Sequence, residues 1–260
     1  MIQFNFNRFG KLAKWSLTND KRYYVKTFLQ VLVVLLLVFL FFTWISNTND
    51  NRDYGYHSCS KVALFLLTLQ LVIGPSLMFY SMEGKHDRQS LMVLPASNFE
   101  KYVMRYSTWL IQFPFFVVAF FGADLMQYVF HLVLGHDYGQ FVTAGVANVL
   151  SKTIKFSDST QDMHSSIVIC VWMHSVFALG ATFFRSRKFN GVLSFAVIIM
   201  IGILIMWLTP EHSALQYDDK STTLSYVLGS VIYIGLILLN FWLSYRLFCR
   251  QQVIGKFINV

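Results

Sequence analysis

Six long apolar runs, separated by short polar segments, decide what this chain can fold into. They lie at roughly Thr27–Ser46, Val62–Tyr80, Tyr106–Asp124, Ser166–Phe184, Val192–Thr209 and Leu224–Leu247. A bilayer core is about 30 Å thick and takes about 20 helical residues to cross, a length that each run approaches or meets. Lipid offers no water to backbone N–H and C=O groups, so each run must pair them within itself as a helix. The expected fold is all-α: a polytopic membrane protein of six transmembrane helices. Function is then to be sought in the loops and in the few polar residues at membrane depth.

Hydrophobic residues make up 55% of the chain and charged residues 13%, a balance that leaves little soluble mass and predicts one compact bundle over residues 1–260. The first run lies behind a basic stretch and lacks a small-residue cleavage site, so it reads as a span rather than a signal peptide. Cys59, Cys170 and Cys249 form no CxxC pair, and no disulfide framework is expected. A net charge of +8 would suit nucleic acid, but its distribution follows topology. With the N-terminus in the cytoplasm, sixteen Lys and Arg residues fall on that side and five on the other. This is the positive-inside pattern. Both termini are predicted to be cytoplasmic, and no nucleic-acid partner is expected.

In residues 1–20, Phe6, Phe9, Ala13 and Leu17 recur at helical spacing with Arg8, Lys11 and Lys14 among them, which predicts an amphipathic helix on the cytoplasmic membrane surface. Thr18-Asn19-Asp20 offers an N-cap before the first span. Tyr23 and Tyr24 are placed at headgroup level. Span two carries Gly74-Pro75, and a proline removes a helical hydrogen bond and kinks the helix.

The loop over residues 81–105 is the most specific stretch. Ser97-x-x-Glu100 is a capping box, two residue types that satisfy each other's backbone N–H at a helix start. It predicts a helix running through Lys101 and Arg105 into span three. Pro95 disfavours helix at Leu94. Upstream, Arg88–Leu94 has room for one or two turns, with Leu91, Met92 and Leu94 forming an exposed apolar patch. A short helix, a proline break and a capped helix make a protruding element suited to docking a partner, more than a plain connection needs.

Residues 125–165 read as an external segment. Gln140–Ile154 mixes apolar, small and polar residues as an interfacial or partly re-entrant helix would. Asp124, the acid nearest a span, is a functional candidate by its depth or an interfacial residue at the outer end. The chain has no GxxxxGK[ST] and no HExxH, the motifs that cradle phosphate and hold zinc. His131/His136 and His164/His174 are not at the spacing of helical metal ligands. No cofactor, metal site or catalytic residue is expected, and the chain is not read as an enzyme.

The stretch Leu94-Pro-Ala-Ser-Asn-Phe-Glu-Lys-Tyr-Val-Met-Arg105 looks like the LPAS-x-x-EK-x-x-x-R signature of ABC-2-like permeases of Bacteroidetes. The topology resembles the ABC-2 type permease family over the whole chain. The resemblance implies the membrane subunit of an ATP-binding cassette transporter in a bacterial inner membrane, an exporter that works as a dimer of permease halves. A separate P-loop ATPase subunit would drive it. The N-terminal helix would be the surface elbow, and about Asp87–Arg105 the coupling element. Arg88, Glu100, Lys101 and Arg105 would supply polar contacts there, Leu91, Leu94 and Pro95 packing, and Ser97 the cap. The family often places re-entrant helices between spans five and six, whereas here the longer external segment follows span three. The other reading is a non-transporting sensor or immunity protein, or a membrane-embedded enzyme, motivated by the scarcity of polar residues in the spans.

Overall fold

The computed structural model describes residues 4–48, 52–81, 85–134, 140–156, 160–184, 189–208 and 219–250. Side chains at 46–48, 52–54, 85–88, 152–156, 160–163, 208 and 219–226 lie outside the described set. The described residues form helices and contain no strand: α1 (Phe6–Asn19), α2 (Lys21–Thr48), α3 (Arg52–Ile73), α4 (Lys85–Val93), α5 (Asn98–Val133), α6 (Val142–Phe156), α7 (Thr160–Phe183), α8 (Asn190–Leu208) and α9 (Asp219–Cys249). Six of them, α2, α3, α5, α7, α8 and α9, are long and apolar enough to cross a membrane. The chain is an all-α, multi-pass membrane protein.

Two spans sharpen the sequence reading: the expected break in the second takes a definite form, and the third runs on past its expected outer end. The second breaks at Gly74-Pro75 into a 3-10 turn, Gly74–Leu77, as a proline that cannot donate requires. The third is far longer than Tyr106–Asp124. At 36 residues and 1.5 Å per residue, α5 extends about 54 Å, so several turns exceed a bilayer core of about 30 Å. Pro114 lies within it without ending it.

The chain divides into two compact units: Met1–Ser16, Val72–Trp109 and Ser159–Val260 in the first, Leu17–Leu71 and Leu110–Asp158 in the second. In the first, Leu12, Met78, Phe79, Leu91, Ala96, Tyr102, Met104, Ala181 and Phe248 form a core, with Phe9, Trp15, Leu94 and Tyr245 packed against it. Phe9, Leu12 and Trp15 of α1 thus pack on protein, while Phe6 and Leu17 of its predicted apolar face are exposed. Helices α7 and α9 are joined by buried polar contacts. Asn240 donates to Ser175 Oγ (3.0 Å), Ser244 to the Ala178 carbonyl (3.0 Å), and Thr182 to Ser244 Oγ (3.2 Å). Small residues let the backbones approach closely enough for such bonds, a common device where lipid removes the hydrophobic drive between helices. The 3-10 turn is held from α8, whose Asn190 amide donates to the Ser76 carbonyl at 2.7 Å.

At Gly180, α7 comes close to Ser194 of α8. A Cβ there would overlap Ser194 Oγ and stand 2.9 Å from Ser194 Cβ. Gly180→Ala is therefore expected to destabilise the protein by about 1–3 kcal/mol, the usual cost of overpacking. Ser194→Gly in the same chain should recover at least half of that loss. Thermal unfolding of the detergent-solubilised protein reads both. Equal stability of the single variant and the parent would refute the close packing.

The core of the second unit is Leu35, Phe39, Cys59, Ala63, Phe116, Ala119, Phe120, Ala123 and Val142. Tyr24, placed by the sequence at headgroup level, is buried, with its ring beside Phe115. Tyr23 accepts a bond from Gln112 at 2.7 Å. On α5, Asp124, Gln127 and His131 share one buried face, spaced as a helix repeat demands. His131 Nε2 lies 2.7 Å from Thr43 Oγ1.

Candidate functional site

The turn that launches α5 gathers most of the residues singled out by the sequence. After α4 the chain turns through Pro95, where the Ala96 N–H donates to the Leu94 carbonyl at 2.8 Å. The capping box then closes in both directions. Ser97 Oγ accepts the Glu100 N–H (3.2 Å), and Glu100 Oε2 accepts the Ser97 N–H (2.8 Å). Two donors that a helix N-terminus leaves orphaned are satisfied together.

Glu100 does more than cap. Its side chain is fully buried, and its carboxylate also receives the N-terminal segment. Asn5 N–H donates to Oε1 at 2.7 Å, and the Arg8 guanidinium grips both oxygens, Nη2 to Oε1 at 2.6 Å and Nε to Oε2 at 2.8 Å. This two-pronged pairing is the strong form of a charge-assisted hydrogen bond. The hydrogen bond to Glu100 raises the Arg8 pKa above its ordinary value. Asn5 in turn caps α1, its Oδ1 accepting the N–H groups of Asn7 (2.9 Å) and Arg8 (3.3 Å), as an N-cap asparagine does.

The two cations of the stretch also have intramolecular roles. Lys101 is buried and donates Nζ to the Met92 carbonyl at 2.7 Å. A cation placed on the last turn of α4 complements the negative end of that helix. Arg105, fully buried, donates Nη1 to Ser81 Oγ at 3.1 Å. At the next residue, Tyr106 OH and His174 Nε2 lie 2.7 Å apart.

The structure thus brings Ser97, Glu100, Lys101 and Arg105 together as the frame of the turn, each making at least one hydrogen bond within the chain. Leu91 is buried in the core and Leu94 packs on it, so of the apolar patch expected at Leu91, Met92 and Leu94 the two leucines face inward, and Met92 is half-buried. Outward exposure belongs to Val93, Pro95 and Phe99. The side chain of Arg88 lies outside the described residues. Asn5 and Arg8 were missed as members of this site. Their only sequence signal was an Asn three residues ahead of an Arg in a phenylalanine-rich segment, which names no partner some 90 positions away.

Asp124, read as functional by depth or as interfacial, is 2% exposed and caps α6. Its Oδ1 accepts the Val142 N–H (2.8 Å) and its Oδ2 the Thr143 N–H (2.9 Å). Among the described residues, no three His, Cys, Asp or Glu side chains converge as a metal site. No protein-family model, curated protein or solved structure matches the chain.

Proposed function

We propose that this chain is the membrane-spanning permease subunit of an ATP-binding cassette transporter, an exporter driven by a separate P-loop ATPase. It sits in a bacterial inner membrane with both termini in the cytoplasm and pairs with a second permease half. One observation carries the reading. The LPAS-x-x-EK-x-x-x-R stretch uses its polar side chains to fix α4 against the first turns of α5, leaving Val93, Pro95 and Phe99 outward. A surface held this rigidly at the end of a long membrane helix can pass a partner's movement into that helix, because packed elements shift as units rather than deform.

The test is purification of the detergent-solubilised protein from native membranes, with the co-purifying chains identified by mass spectrometry. A stoichiometric P-loop ATPase is expected. Val93→Asp with Phe99→Asp, both at exposed positions, should lower its recovery at least about tenfold, as loss of interface anchors does. Recovery of a stable protein with no ATPase would turn the assignment toward a non-transporting membrane sensor or enzyme.

A further inference from the structure

Two prolines stand at matching places in the division of the chain into units. Within α3 the second unit gives way to the first between Leu71 and Val72, and within α5 the first gives way to the second between Trp109 and Leu110. A proline has no N–H, so it cannot bond the helical carbonyl four residues before it, and its ring crowds that carbonyl. For Pro75 this carbonyl belongs to Leu71, and for Pro114 to Leu110. Both are the residues of the second unit that border a crossing. Each helix thus lacks the same backbone bond at the point where it passes between units. Neither proline closes its span: the apolar segment of α3 continues to Phe79, and α5 runs on to Val133.

The chain crosses twice more. One crossing, between Ser16 and Leu17, comes just before α1 gives way to α2 at Asp20. The other, between Asp158 and Ser159, lies outside the described residues. Around the two proline crossings each unit is tied down within itself. In the first, Asn190 holds the 3-10 turn that follows α3. A Cβ at Gly74 would stand 3.1 Å from Trp109 Cβ, so the broken end of α3 rests on α5 beside that helix's own crossing. In the second, Gln112 donates to Tyr23, and Val142 is held through its N–H by Asp124 and through its carbonyl by Ser60. A few weakly bonded residues between well-held segments are what a hinge consists of.

We propose that Leu71–Pro75 of α3 and Leu110–Pro114 of α5 are paired hinges, on which the two units move as separate rigid bodies. The turn that launches α5 belongs to the first unit and the Asp124 cap of α6 to the second. A bend at Leu110 therefore lets one of them shift while the other keeps its own packing. The hinge is independent of the permease reading and holds whether or not an ATPase drives the chain.

The experiment measures distances between pairs of spin labels on the full-length protein in lipid nanodiscs, by double electron–electron resonance. Cys170 and Cys249 are replaced, and the buried Cys59 is kept. Leu37→Cys with Val118→Cys reports within the second unit, Met206→Cys with Leu238→Cys within the first, and Leu37→Cys with Met206→Cys between them. All four side chains are exposed, so the labels leave the cores intact. The distribution between units is expected to be at least about twice as broad as either distribution within a unit, as hinged bodies require. Pro75→Ala with Pro114→Ala returns an N–H to each stranded carbonyl and should narrow it to the width of the controls. Each single substitution should remove about half of the excess, since the two sites are separate, and these chains carry the test where the double variant does not fold. A parent distribution as narrow as the controls would make the prolines fixed kinks and overturn the hinge. Excess width that survives the alanine substitutions would overturn its placement at the prolines, and controls as broad as the pair between units would overturn the rigid bodies.

Discussion

Glu100→Gln is expected to release α1 even though it changes no atom's position by design. All four bonds to the carboxylate come from donors: two backbone N–H groups and two guanidinium nitrogens. An amide presents one oxygen and one NH2, so whichever way it turns, a donor faces a donor. Glu100→Ala removes both oxygens and strands the Asn5 and Ser97 N–H groups. A hydrogen bond to a buried charged group contributes about 1.5–3 kcal/mol, which is tenfold or more in the docking equilibrium of α1. Leu12 reports that equilibrium, being 5% exposed under α1. With Cys170 and Cys249 replaced, a thiol introduced as Leu12→Cys should react with maleimide at least about tenfold faster in the Glu100→Gln and Glu100→Ala chains. Unchanged labelling would mean that the packing of Phe9, Leu12 and Trp15 holds α1 without the carboxylate. Arg8→Ala should have a smaller effect, since Glu100 then keeps its two backbone donors.

The second large effect is expected at Asp124. Helix α6 begins behind Phe141, a residue with no side-chain acceptor to cap it. Asp124 supplies the missing cap from α5, taking the Val142 and Thr143 N–H groups, the Thr143 hydroxyl at 2.5 Å and the Gln127 amide at 3.2 Å. A carboxylate at a helix N-terminus is favoured by the dipole as well as by the bonds. Asp124→Ala leaves the buried Val142 N–H without an acceptor and removes the acceptor of the Thr143 N–H and hydroxyl, while the Gln127 amide keeps its bond to the Gln140 carbonyl. The expected loss is on the order of 3 kcal/mol, or roughly a hundredfold faster amide hydrogen exchange in α6. Asp124→Asn should fail almost as fully, for the reason given for Glu100→Gln. Exchange in α6 that matches the parent chain would exclude the capping role. Exchange accelerated uniformly over the chain would instead make Asp124 a determinant of global stability.

The parts of the fold that the sequence made legible share one property: their causes are local. The spans follow from runs of apolar residues that must close their own hydrogen bonds. The capping box over Ser97 and Glu100, the interruption at Gly74-Pro75 and the break at Pro95 depend on residues within a turn of one another, and each appears as predicted. The direction of the apolar residues on α4 was less legible. Leu91 and Leu94 read with Met92 as an outward patch because nothing in a nine-residue helix and the residue after it says which side has a neighbour, and the core around Tyr102 and Phe248 placed the two leucines inward. The length of α5 was underestimated for a related reason. Asp124 read as the outer end of the third span and residues 125–165 as external, because polar residues are costly in lipid, yet Asp124, Gln127 and His131 share a face of α5 that is buried.

Sequence by itself determined that this chain is an all-α, multi-pass membrane protein, because lipid leaves the backbone no alternative partners, and it marked the capped start of α5 and the breaks at Gly74-Pro75 and Pro95. Tertiary structure alone decided what the polar residues do. It joined Glu100 to Arg8 across 92 positions and Asp124 to the start of α6 across 18. It also turned Lys101 onto the end of α4 and lined Phe4 up with Phe99. A buried charge must find its partner in space, and chain separation carries no information about which distant residue will stand there.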